Sequence, residues 1–181
     1  MNSAIFTTAS ENYQVAQIAF AGPVTEIPEE KRKYSSTHYF KIVNHRGTSY
    51  CHFKSMESAK KARNALAAML NTLKPNCYKY GSSAIDAKSV LSFSNVFSLK
   101  TPQNDLTHAF VVTIDTVDEK NSKVWLKFRS EENAWKAQKA LFASIYAANN
   151  MKKNSEKVLK EETAEVAVVE EKSSSEEKLP F

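Results

Sequence analysis

Glycine is scarce: three residues in 181, which leaves no Gly-rich loop to cradle a phosphate and argues against a loop-dominated fold. Cysteine is scarcer still. Cys51 and Cys77 stand alone, with neither the even set of a disulfide scaffold nor a C-x-x-C spacing for zinc, so a reducing, cytoplasmic setting is expected. Long hydrophobic runs are also missing. The start MNSAIFTTASENY has neither a basic leader nor an apolar stretch, and Val166–Val169 is far too short to span a bilayer. Catalytic spacings are absent in the same way. There are four Asp (Asp86, Asp105, Asp115, Asp118) and four His (His38, His45, His52, His108), without H-x-x-x-H, G-K-S/T or G-x-S-x-G. Asp115 and Asp118 fall at a strand end and turn, where Asp serves local backbone geometry, so no clustered carboxylates are expected to hold a catalytic metal. No enzyme activity, metal or cofactor is expected.

What the chain does have is apolar residues at 42%, enough for a core, and an uneven charge. Residues 1–150 carry 19 Lys and Arg against 12 Asp and Glu, whereas 151–181 carry six Lys and eight Glu. A basic body on an acidic end points to a polyanion partner, with the end able to compete for the same surface.

The body also repeats. Phe53–Leu66 aligns with Phe128–Leu141 at an offset of 75, and eight of the fourteen positions are identical. Around that match each half has the same order of elements. Val15–Ile27 and Val90–Lys100 read as first strands, ending at Pro28 and just before Pro102. His38–His45 and His108–Thr116 read as second strands, Thr48–Lys54 and Lys123–Arg129 as third strands. Ser55 and Ser130 then cap helices. The first helix runs to about Leu73 and buries Ala59, Ala62, Leu66, Met69 or Leu70, and Leu73; the second buries Ala134, Ala137, Leu141 and Ile145. Trp135, Phe142 and Tyr146 make a second apolar stripe. The expected class is α+β: two β-β-β-α repeats, 1–75 and 76–150, together one domain of curved antiparallel sheets backed by helices. Ala4–Thr8 and Cys77–Gly81 are candidates for a fourth strand in each. The Lys-, Glu-, Ser- and Ala-rich stretch 151–181 is expected to be a disordered acidic tail.

Strand alternation sorts the third strands into faces. Val124, Leu126 and Phe128 point to the helix. Lys123, Trp125, Lys127 and Arg129 share the other side, as do Thr48, Tyr50, His52 and Lys54 in the first half. The neighbouring strand adds Tyr39 and Lys41, because Phe40 and Ile42 must face the core. An aromatic followed by basic residues, twice, suits a single-stranded nucleic acid: rings stack on bases and cations neutralise phosphates. Packing of Tyr50 and Trp125 against a second sheet or a partner chain is the alternative. The loop run Lys31–Tyr34 is a further candidate backbone clamp.

The chain closes on Glu176, Glu177, Lys178, Leu179, Pro180 and Phe181. An acidic tail finishing on an aliphatic residue, Pro and a terminal Phe resembles the C-terminal tip of bacterial and phage single-stranded-DNA-binding proteins. The resemblance implies that Glu176, Glu177, Leu179, Pro180 and Phe181 dock replication, recombination and repair proteins. Phe181 suits a small apolar pocket with a cationic rim, and Pro180 lowers the ordering cost. Lys178 departs from the family's acidic run. The body's order of elements is similar instead to the PUR-repeat and Whirly group, with an eccentric oligonucleotide-binding barrel as the alternative. Together these imply a non-catalytic protein that coats single-stranded DNA in a bacterial cell or phage-infected host, acts as a homo-oligomer and recruits partners through its tip. Single-stranded RNA binding or a structural, assembly role are the rival expectations.

Overall fold

The computed structural model describes residues 4–32 and 35–150. In chain order they form β1 (Ile5–Thr7), β2 (Asn12–Gln14), a 3-10 turn (Val15–Gln17), β3 (Ile18–Ala21), β4 (Thr25–Glu26), a 3-10 turn (Glu29–Lys31), β5 (His38–Asn44), β6 (Gly47–Phe53) and α1 (Met56–Leu73). Then follow β7 (Cys77–Tyr80), β8 (Ser83–Asp86), a 3-10 turn (Ala87–Ser89), β9 (Val90–Phe93), β10 (Phe97–Gln103), β11 (Leu106–Ile114), β12 (Lys123–Phe128) and α2 over 131–150. The class is α+β with antiparallel pairing throughout these strands. Residues Met1–Ile145 make up one compact unit. Neither described helix is long and apolar enough to cross a membrane.

The expected first strands prove to be broken. Val15–Ile27 begins as a 3-10 turn, pairs as β3, then leaves the ladder at Gly22-Pro23 before resuming as β4. A β-carbon on Gly22 would sit 3.2 Å from the Lys41 side chain and 3.3 Å from the Phe20 ring, so the chain passes this point only as glycine without a shift. Val90–Lys100 divides likewise into β9 and β10. Pro102 does not end β10. It lies within an edge strand whose register slips between Ser98 and Gln103, where a missing N–H is tolerated. Asn104 and Asp105, both at positive φ, then make the two-residue turn into β11, which therefore starts at Leu106 and not at His108. Ala4–Thr8 and Cys77–Gly81 do contain strands, each the first arm of a hairpin.

Two larger sheets result. In the first, β5 pairs with β6 along one edge and with β3 and β4 along the other, and β8 and β7 extend it beyond β3. In the second, β11 pairs with β12 on one edge and with β9 and β10 on the other. Position 75 is thus no boundary between sheets, because β7 and β8 complete the first one. The hairpin β1–β2 stands as its own two-stranded sheet.

Both helices start on serine caps, with Ser55 Oγ accepting from the Ser58 N–H and Ser130 Oγ from the Asn133 N–H. Leu66 and Leu70 of α1 are buried with Phe40, Ile42 and Cys51, and Ala59 is buried as well. Leu73, expected inside, is exposed at the helix end. Ala134 and Leu141 of α2 are buried with Phe110, Val112, Leu126 and Phe128, and Ala137 and Ile145 pack against them. A charge takes an unexpected core position: Arg63 Nε donates to Gly22 O at 2.8 Å and Nη2 to Ala21 O at 3.1 Å. At the matching helical position Gln138 Nε2 donates to Ser94 O at 2.7 Å. Each residue satisfies a carbonyl freed where the first strand breaks. Arg63→Ala leaves the buried Gly22 carbonyl without its side-chain donor and should cost about 1–3 kcal/mol in urea unfolding. Arg63→Gln, which copies the other helix, should cost less than half of that.

Both thiols are protonated at neutral pH, burial pushing Cys51 and Cys77 up to about 11.

Candidate functional site

The alternation expected for β12 holds residue by residue. Val124, Leu126 and Phe128 are buried, and Lys123, Trp125 and Arg129 are exposed, with Lys127 half-buried between them. Trp125 is 52% exposed, and its one ring contact is edge-on with Phe97 of β10, centroids 5.6 Å apart. The two rings stand almost perpendicular, at 87°. The backbone carbonyl of Lys127 accepts a hydrogen bond from the Tyr80 hydroxyl, which ties the middle of this strand to the β7–β8 hairpin.

In the first sheet Tyr50 is 46% exposed and His52 and Lys54 are exposed. Tyr39, opposite His52 in the β5–β6 register, lies 5.7 Å from the Tyr50 ring and 6.0 Å from the His52 ring. These three rings line a groove of about 460 Å³, closed by Ile27, Lys31, Ser36 and the β1–β2 turn residues Ala9 and Ser10. That volume falls within the range of small-ligand sites, roughly 300–1,000 Å³. Its lining is mostly apolar, and among the described residues Lys31 brings one ammonium to it.

Lys41 and Thr48 are placed differently from their strand-mates. Lys41 is half-buried, its ammonium 5.4 Å from the centre of the Phe20 ring. Burial lowers its pKa, and the charge of Asp118 in the β11–β12 connection opposes that shift. The same connection reaches the β5–β6 turn, where the Val117 N–H donates to His45 O and Asp115 lies 3.4 Å from His45 Nδ1. The open part of the first sheet therefore runs from Tyr50 and Tyr39 towards Lys54, away from Thr48 and Lys41. In the loop run, Arg32 is engaged locally, donating to Ile27 O and pairing with Glu26 at 3.0 Å, so of the described residues in that run only Lys31 faces the groove. Residues 33 and 34 lie outside the described residues, as do the tail 151–181 and the tip residues Glu176, Glu177, Leu179, Pro180 and Phe181.

Among the described residues, Lys54, Lys123, Lys127 and Arg129 form no ion pair with a carboxylate. The backbone at two of these residues, Lys54 and Arg129, is held by a device that the sequence carries twice. Thr37 Oγ1 donates to Lys54 O at 2.8 Å and Thr107 Oγ1 to Arg129 O at 2.9 Å. In each case the next residue's imidazole Nδ1 lies 2.9 Å from the same hydroxyl. The hydroxyl proton is committed to the carbonyl, so Nδ1–H donates to the oxygen. The signal is T-H-x-F at 37–40 and again at 107–110, seventy residues apart; the alignment at an offset of 75 misses it. Phe97, Ile27 and the Ala9–Ser10 turn carry no comparable signal, since each reaches the site through tertiary pairing. No three His, Cys, Asp or Glu side chains among the described residues converge as a metal-holding group.

Comparison with family models, with curated proteins and with solved structures gives no match.

Proposed function

We propose that this chain is a non-catalytic single-stranded-DNA-binding protein built from two tandem repeats, coating exposed strands in replication, recombination and repair. The observation that carries the proposal is the doubled placement of an exposed aromatic ring beside cations without a carboxylate partner among the described residues: Tyr50 with Lys54, its ring neighbour His52 also exposed, and Trp125 with Lys123, Lys127 and Arg129. Every base offers a π-face, so these rings stack without reading sequence, each worth about 1–3 kcal/mol. The cations neutralise the phosphates between stacked bases. Duplex DNA hides its π-faces and gains only the second term, which sets the preference for single strands.

The repeat reading is supported by the order of elements, in which hairpin, 3-10 turn, two further strands, a strand pair and a helix occur twice, with the extra turn Glu29–Lys31 in the first half. It is supported again by Arg63 and Gln138, and by the Thr-His pairs, which do the same work in each half. The tail's role rests on its composition and on Leu179, Pro180 and Phe181, which suit docking of partner proteins. A cytoplasmic site of action, in a bacterial cell or an infected host, follows from the same resemblance.

Competition between oligothymidylate and oligouridylate of equal length tests the ligand, and deletion of 179–181 tests the division of labour. The deletion should leave DNA affinity within twofold of the full chain and abolish capture of host replication proteins. Loss of DNA binding on deletion, or a tenfold preference for RNA, would contradict the proposal.

A further inference from the structure

The two halves share every kind of element, yet one strand edge is covered in the first half and bare in the second. In the first sheet β3 pairs with β5 on one side and β8 on the other, with Phe20 opposite Ile85 and Ala21 opposite Ala84. All four residues of β3 are buried. Its counterpart by order and pairing is β9, seventy-two residues on. Among the described residues β9 pairs with β11 alone. The counterpart of β8 is β2, at the same offset, which pairs only with β1. The chain thus shows one copy of a junction, and its two unmatched halves lie at opposite ends of the repeat order.

The bare edge is not built to stay bare. Free edges are ordinarily protected by Lys, Pro, a bulge or a covering segment. Val90-Leu91-Ser92-Phe93 carries neither charge nor proline, and the register slip at Leu91 matches one at Ala19 of β3, which pairs with β8 all the same. Leu91 is 65% exposed where its counterpart Ala19 is 3% exposed. The donor hairpin has the right division of faces. Tyr78 and Ile85 of β7–β8 pack into the core cluster of their own half, while the outer edge of β8 serves β3 of the other half. In β1–β2, Phe6 and Tyr13 likewise pack into their own half's cluster, which leaves the outer edge of β2 to offer.

We infer that the β9 edge of one molecule is completed by the β1–β2 hairpin of a second copy of this chain, repeating between molecules the β3–β8 junction seen within one. By the shared offset of seventy-two, Ser92 lies opposite Tyr13 and Phe93 opposite Asn12 of the other molecule. Leu91 and Gln14 come next along the strands. The contact joins two different surfaces, so it either closes into a ring of two or more copies or propagates head to tail as a filament. A protein that covers a strand processively gains from such a junction, since each bound molecule presents an edge for the next. The inference rests on the repeat reading above and is independent of which polymer binds.

The test uses the full chain without nucleic acid. Gln14→Cys and Leu91→Cys are separate single variants at exposed or edge positions, and circular dichroism confirms their folding. The native thiols stay largely out of exchange, since Cys51 is buried, Cys77 half-buried and both are protonated below about pH 11. Under mild oxidation an equal mixture of the two variants should give a disulfide-linked dimer at least tenfold above that of either variant alone. The Q14C/L91C double variant should give covalent oligomers, up to the size at which a ring closes or as an open ladder for a filament. In sedimentation velocity the native chain should associate with rising concentration, and Leu91→Lys should sediment as a monomer. A native chain that stays monomeric throughout overturns the inference. So does an association that Leu91→Lys leaves intact, or a mixture that traps no more dimer than its components. A failed DNA titration with successful cross-linking would remove the function proposed above and leave this interface standing.

Discussion

Replacing Tyr50 and Trp125 together by alanine should weaken binding to an unstructured oligothymidylate by about 2–6 kcal/mol, the sum of two stacking losses. The losses should add because the rings have separate neighbours, Tyr39 and His52 for the tyrosine and Phe97 for the tryptophan. Each single variant should account for about half. The fold should survive, since both side chains stand largely in solvent and neither belongs to a core cluster. Equilibrium titration at fixed salt, with urea unfolding as a control, measures both quantities. An unchanged affinity in the double variant would mean that the rings do not meet bases.

The second large effect is on stability. Phe40 and Phe110, each the last residue of a T-H-x-F run, are fully buried and stacked on Phe53 and Phe128 with centroids 5.4 and 5.6 Å apart. Truncating either to alanine removes a ring from a closed core and should cost about 3–5 kcal/mol. Both substitutions should move one and the same unfolding transition. β8 belongs to the second half by sequence and to the first sheet by pairing, and Lys74 reaches back from the end of α1 to Asp86 at 2.5 Å and to Ile18 O at 2.6 Å. A half that opens must break this seam. Two separate transitions, each sensitive to only one phenylalanine, would show that the halves fold independently.

Much of the site was readable from the chain because it depends on local rules. Period-two alternation in Lys123–Arg129 places Trp125 outward whatever the sheet does next, and the Ser55 and Ser130 caps fix where each helix begins. What escaped depends on long-range pairing. An apolar run such as Val15–Ile27 reads as one strand because periodicity does not register where a chain leaves its ladder; the break follows from Gly22, Pro23 and the buried Arg63 that donates to the carbonyl freed there. Lys41 alternates outward correctly and is nevertheless half-buried, since the side of the sheet it reaches is occupied by the Phe20 ring and neighboured by Asp118. Phe97 reads as an ordinary strand residue until β10 and β12 are placed on the two edges of β11. Pro102 suggested a strand end because the usual exclusion of proline applies to interior strands and relaxes at an edge.

The central claim is that free cations and open rings share one accessible side of the two sheets. Its most direct test is the fluorescence of Trp125 during titration with oligothymidylate, in a Trp135→Phe background that removes the second indole, at several salt concentrations. The account predicts quenching that saturates, with an affinity whose logarithm falls against log salt with a slope of about −3, four phosphates neutralised at roughly 0.7 each on a single strand. Fluorescence that does not change on saturation, or an affinity indifferent to salt, would contradict it.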